Sequence, residues 1–193
     1  MKASKTRNIK WFEIAAIMAI LAILVAMTQA SALAEVTDSS ASGFTVKLTV
    51  NIHASAADVY HKLIHNVGDW WNSAHTLSGD AHNLSIDERP MGCFCEKLPN
   101  QGAVRHMEVL YYAPGKLLRM SGVPGPMQGM ATTGVATFTL APSGDTTDLT
   151  LEYAMGGYSP KGLNALAPIV DMVFKEQITR LKNYVETGKP DAK

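Results

Sequence analysis

Cysteine is the scarcest residue in this chain, present only as Cys93 and Cys95, so no multi-bridge disulfide scaffold can carry the fold. An excess of either charge is missing too, with Lys+Arg 17 against Asp+Glu 17. No basic stripe runs through the sequence, which argues against nucleic acid or an anionic membrane surface as partner. A hydrophobic run of spanning length is also absent. The longest uncharged apolar run, Ile14 to Met27, has fourteen residues, and a transmembrane helix needs roughly 20. No nucleophile elbow, phosphate loop, triad signature, internal repeat or low-complexity tract occurs.

What the N-terminus does contain has a definite order. Lys2, Lys5, Arg7 and Lys10 make a basic start, the apolar run follows, and Ser31-Ala-Leu-Ala34 ends it with small residues. This is the pattern of a secretory signal, with cleavage expected after Ala34 and a periplasmic or secreted product. The alternative is an uncleaved anchor facing outward. Extending the run back to Ile9 to lengthen it brings in Lys10 and Glu13, which are costly in lipid. The segmentation that follows is a signal over 1–34, a flexible polar lead-in over 35–43, one domain over 44–187 and a tail over 188–193. Without the signal, 13 Lys+Arg face 16 Asp+Glu, and a domain of this size can bury its own core.

Periodicity then sets out the elements. Phe44, Val46, Leu48, Val50 and Ile52 alternate with polar residues, a strand with one buried face. Ser55, with Asp58 three residues on, starts a helix over 56–65, and Gly68-Asp-Trp-Trp-Asn72 reads as a short helical turn. Strands are expected over 81–87, 92–97, 104–112, 116–121 and 128–140, separated by Gly-, Pro- and Asn-rich turns. Leu149, Leu151, Tyr153 and Met155 mark a second one-sided strand. After Gly156-Gly157, Ser159-Pro160 suits the start of a helix. Its apolar stripe runs from Leu163 to Val185, with a kink expected near Pro168 and a stop at Gly188.

Consecutive strands on short connections make an antiparallel sheet, and the long C-terminal helix must bury its stripe against that sheet. The expected fold class is therefore α+β, a curved antiparallel sheet of about seven strands wrapped around one long helix. Three stretches resemble the SRPBCC superfamily, also called START-like or Bet v 1-like: Ala54-Ser-Ala-Ala-Asp58-Val-Tyr leading to Trp70-Trp71, then Pro114-Gly-Lys-Leu-Leu-Arg119-Met, then the ending over 156–185. Trp71-Asn-Ser-Ala-His75, Gly92-Cys-Phe-Cys-Glu96 and Gly156-Gly-Tyr-Ser-Pro160 are similar to bacterial members labelled polyketide cyclase or Hsp90-ATPase-activator-like. The resemblance covers 44–187 and implies a helix-grip fold. It leaves function open, because binders, transporters, cyclases and hydrolases share that fold.

Seven methionines fall in the domain, and their flexible thioethers suit a pocket that adapts to its guest. The residues expected to wall a ligand are Trp70, Trp71, Met107, Val109, Tyr111, Met120, Met127, Phe138 and Tyr153, with Ile169, Val170, Val173 and Phe174 from the helix. They serve equally well to close a core. The breaker-rich loop 122–129 is either a lid or a rigid connection. Glu96, Arg105, His106 and Glu108 include possible acid and base partners on neighbouring strands. His106 and Glu108 are the candidate proton-transfer groups, although strand parity puts both on one face, where a solvated pair is the plainer reading. Arg119 could hold a ligand carboxylate or simply meet a surface acid. His75, Asp80, His82, Cys93, Cys95 and His106 have zinc-donor chemistry but no zinc spacing, so neither a metal nor a cofactor is expected. Cys93 and Cys95, two apart on a strand, would sit about 6.5–7 Å from each other. Two buried thiols are therefore favoured, and a bond requires a bulge.

The function expected is an exported binding or carrier protein for a small hydrophobic molecule. A cavity enzyme (cyclase, dehydratase or hydrolase) and a protein-interaction module are the alternatives, the last predicting an exposed apolar patch and no cavity.

Overall fold

The computed structural model describes residues 33–192. They form eight strands: β1 (Leu33–Ser40), β2 (Gly43–Ile52), β3 (Leu84–Ile86), β4 (Cys93–Lys97), β5 (Ala103–Ala113), β6 (Leu117–Gly122), β7 (Ala131–Ser143) and β8 (Thr146–Tyr158). Three α-helices accompany them: α1 (Ala56–His65), α2 (Val67–Trp70) and α3 (Ala167–Thr187). The strands make one sheet in the order β1-β2-β8-β7-β6-β5-β4-β3, with every neighbouring pair antiparallel. The fold is α+β with the helix-grip arrangement. Among the described residues no helix is long and apolar enough to cross a membrane.

Local chemistry accounts for the elements. Alternation in β2 buries Phe44, Val46, Leu48, Val50 and Ile52, and β8 buries Leu149, Leu151, Tyr153 and Met155 beside them. Each fully buried aliphatic side chain contributes about 1.5–3 kcal/mol. Phe174, Ile178, Leu181 and Val185 of α3 close this core. At α1 the Ser55 hydroxyl accepts from the Asp58 amide at 3.2 Å. Gly188 ends α3 in the left-handed conformation, its N–H reaching the Tyr184 carbonyl.

Three expectations need correction. Residues 35–40 are not a flexible lead-in but part of edge strand β1, with Val36 opposite Val46. An edge strand is held by backbone hydrogen bonds, which a small polar sequence supplies as well as an apolar one. This strand brings the sheet to eight. The signal segment itself lies outside the described residues, except that the backbone of Leu33 and Ala34 joins β1.

The long helix also starts later than Ser159-Pro160 implies. Gly162 takes φ +77°, turning the chain, and Leu163 is buried by itself. The helix begins at Ala167, with Pro168 in its first turn. A proline there lacks only a donor that would go unused, so it starts the helix and does not kink it.

Finally, Cys93 and Cys95 are disulfide-bonded, with Cα atoms 5.2 Å apart. The register shift beside the bond, between Phe94 and Cys95, has its extra residue on the facing strand, at His106.

Candidate functional site

Strand β5 carries two bulges, and they decide which of the expected site residues face inward. At the first, Met107 opposes Phe94 and Arg105 opposes Cys95, leaving His106 as the extra residue. His106 and Met107 both turn into the interior, at 5% and 3% exposure. Gly122 makes room for this: a Cβ there would lie 2.4 Å from the His106 carbonyl oxygen. At the second, Val109 pairs with Met120 and Tyr111 with Arg119, so Leu110 is extra. The parity of the strand flips again, leaving Tyr111 exposed while Tyr112 packs on the core.

A cavity of about 450 Å³ opens between the first half of α3, the loop 124–127 and the segment 71–77. Six expected wall residues line it: Trp71, Met127, Ile169, Val170, Val173 and Phe174. The loop 122–129, read as lid or connection, supplies one wall through Pro124, Gly125, Pro126 and Met127. Leu77, Ile169 and Met172 are exposed as well as lining, so the rim is apolar.

The other expected wall residues stand elsewhere. Trp70, Met107, Val109, Met120, Phe138 and Tyr153 are buried core and do not line the cavity. Trp70 Nε1 donates to the Lys62 carbonyl at 3.0 Å. The Tyr153 hydroxyl donates to the Gly122 carbonyl at 3.2 Å, and burial raises its pKa. Tyr111 is on the outer face, because of the second bulge. Arg119 is also outside, its Nε on Thr137 Oγ1 at 3.1 Å.

The two proton-transfer candidates are separated. Glu108 meets Arg105 at 2.6 Å on the outer face, so the expected His106–Glu108 pair does not form. The first bulge has turned His106 inward, where its Nε2 is 2.9 Å from Glu96 Oε2. Glu96 also accepts from the amides of Leu77, at 3.1 Å, and Ser78. Burial alone would raise its pKa. The hydrogen bonds from Ser78, Leu77 and His106 outweigh that and hold the carboxyl below its ordinary value. On the other side of the ring, the Gly125 amide lies 3.3 Å from His106 Nδ1. Leu77 and Gly125 both line the cavity. The buried Glu96–His106 pair therefore ties together the two loops that frame it.

A second pair sits in the cavity wall itself. His75, considered from the sequence only as a metal donor, lines the cavity, and its Nε2 is 2.9 Å from Glu176 Oε2. Asn72 Nδ2 donates to the other oxygen of Glu176. The Asn72 bond, with help from His75, overcomes burial and lowers the Glu176 pKa. Asn72 also caps the short 3-10 turn Ser73–His75, accepting from the Ala74 amide at 2.9 Å, and Trp71 Nε1 donates to the His75 carbonyl at 3.1 Å. The sequence signal was there, in an asparagine following two tryptophans. Its partner on α3 lies about a hundred residues away and could not be read from it.

The remaining zinc-type donors are dispersed, His82 on Asp80 at 2.9 Å and the cysteines on each other. Among the described residues no three His, Cys, Asp or Glu side chains converge as a metal site would need.

The matching family profile is polyketide cyclase / dehydrase and lipid transport, over residues 43–186. The chain belongs to this family, an SRPBCC-like group whose fold binds hydrophobic ligands. A search of the curated proteins returns no match. Solved structures share the fold. A conserved protein of unknown function, EF2215 from Enterococcus faecalis, is 19% identical with TM-score 0.52, covering 84% of this chain and 80% of that one. CalU16 from Micromonospora echinospora is 15% identical with TM-score 0.52, covering 83% and 87%. DynU16, a protein in the dynemicin biosynthetic locus, is 17% identical with TM-score 0.53, covering 76% of this chain and 48% of that one.

Proposed function

We propose that this is an exported binding or carrier protein for a small hydrophobic molecule held between α3 and the loops 71–77 and 124–127. The observation that carries the reading is the cavity of about 450 Å³, apolar in nearly all its lining and open through an apolar rim. Pockets of a few hundred Å³ with few polar groups are typical of small-molecule sites. Export rests on the basic, apolar and small-residue order of 1–34. The presence of a cavity counts against the interaction-module reading.

Native mass spectrometry of the protein recovered from the periplasm, before and after denaturation, tests the proposal. The expected result is a chain beginning at Glu35 with extra mass that leaves on denaturation. An intact N-terminus would refute cleavage. A bare mass, together with no uptake of apolar probes, would refute the carrier role.

One observation favours a second reading. Among the described residues His75 is the only titratable side chain lining the cavity, and Glu176 orients it. A cavity enzyme would therefore use His75, and not His106, to move a proton.

A further inference from the structure

The cavity wall combines extensive apolar surface with a single directed polar group. Ile169, Met172 and Val173 line it from α3, and Glu176, one turn further on, continues the same stripe. Both oxygens of Glu176 are engaged, one by Asn72 Nδ2 and the other by His75 Nε2. A carboxylate only accepts hydrogen bonds, so Nε2 must carry the proton. In the neutral ring Nδ1 is then an acceptor. Among the described residues Nδ1 has no hydrogen-bond partner, whereas the donors of the other polar side chains in the lining are engaged. Thr76 Oγ1 donates to the Ser73 carbonyl at 2.7 Å, and Trp71 Nε1 donates to the His75 carbonyl.

We infer that the site selects, among hydrophobic molecules, those with a neutral hydroxyl at one end, which donates to His75 Nδ1 while the apolar body lies along α3. Anionic heads are disfavoured, because the ring that would meet them is held by the Glu176 carboxylate. This inference rests on the binding reading above and adds a ligand class to it. It makes His75 a specificity residue and Glu176 and Asn72 positioning residues, setting the tautomer without touching the guest.

Calorimetric titration with 2-naphthol, naphthalene and 2-naphthoate tests it, because the three share a body and differ in the head. The hydroxyl has its own hydration, so the quantity to read is the naphthol-to-naphthalene affinity ratio in wild type against variants. One hydrogen bond corresponds to roughly a three- to tenfold fall in that ratio for His75→Phe, with naphthalene affinity changed less than about twofold. Glu176→Gln removes the charge and frees the tautomer. It should lower the same ratio while raising naphthoate affinity at least about threefold. A ratio unchanged by His75→Phe overturns the inference and leaves the carrier reading standing. Failure of the wild type to bind any of the three overturns the carrier reading itself.

Discussion

Two of the histidine–glutamate pairs among the described residues share the same 2.9 Å separation, His75–Glu176 and His106–Glu96. In one, His106 and Glu96 are 5% and 0% exposed; in the other, His75 and Glu176 are 30% and 39% exposed. Burial separates their roles. Within the protein, removing one partner strands a desolvated charge, so the pair is structural. At the cavity wall water compensates a lost partner, so the pair is nearly neutral for stability and is available to a guest. The buried pair holds the two cavity loops together, and the exposed pair meets what enters between them.

Breaking the buried pair gives the largest expected effect. His106→Leu leaves Glu96 ionised without its ring partner and should cost about 3–5 kcal/mol in urea unfolding, against about 1 kcal/mol or less for His75→Leu. Equal losses would erase the distinction. Met107→Arg belongs with the core, not with the pocket. It buries an unpaired charge and should lower stability by at least about 3 kcal/mol. Val173→Arg, in the cavity wall, should instead abolish probe uptake while the unfolding midpoint hardly moves.

Gly122→Ala places a Cβ 2.4 Å from the His106 carbonyl at φ +142°, forcing the bulge open. A loss of roughly 2 kcal/mol is expected, together with weakened uptake as the loops part. Stability unchanged by Gly122→Ala would mean the bulge does not depend on that close approach.

Acid gives a smaller effect. The native Glu96 pKa lies below its ordinary value, so its contribution to stability is complete above the unfolded carboxyl value near 4.5 and fades as pH falls through the native one. The acid limb of a stability–pH profile should therefore flatten in Glu96→Gln. Glu176→Gln should change it less, since that carboxylate stands partly in solvent. A larger change from Glu176→Gln would reverse the assignment of the two pairs.

Much of the fold is legible in the amino-acid sequence. The alternation of β2 and β8 and the Ser55 cap of α1 arise from local physics, and both appear where the residues put them. The cavity was half legible. Trp71, Met127 and the α3 residues could be named from apolar type and stripe. Met107, Val109, Met120, Phe138 and Tyr153 have the same apolar character, yet they fill the core. Tyr111 and His106 depart from simple alternation for one cause: each follows or occupies a bulge, and one extra residue reverses every facing after it.

The amino-acid sequence by itself determined the class of fold, the one-sided strands, the long gripping helix and the apolar stock of the pocket, because these follow from periodicity and side-chain chemistry within a few turns or strands. Only the tertiary structure decided which histidine meets the cavity and which is sealed behind it. That choice depends on the first bulge of β5 and on carboxylates reaching His75 and His106 from α3 and β4. No local pattern encodes such pairings, because the partners become neighbours only when the sheet closes on the helix.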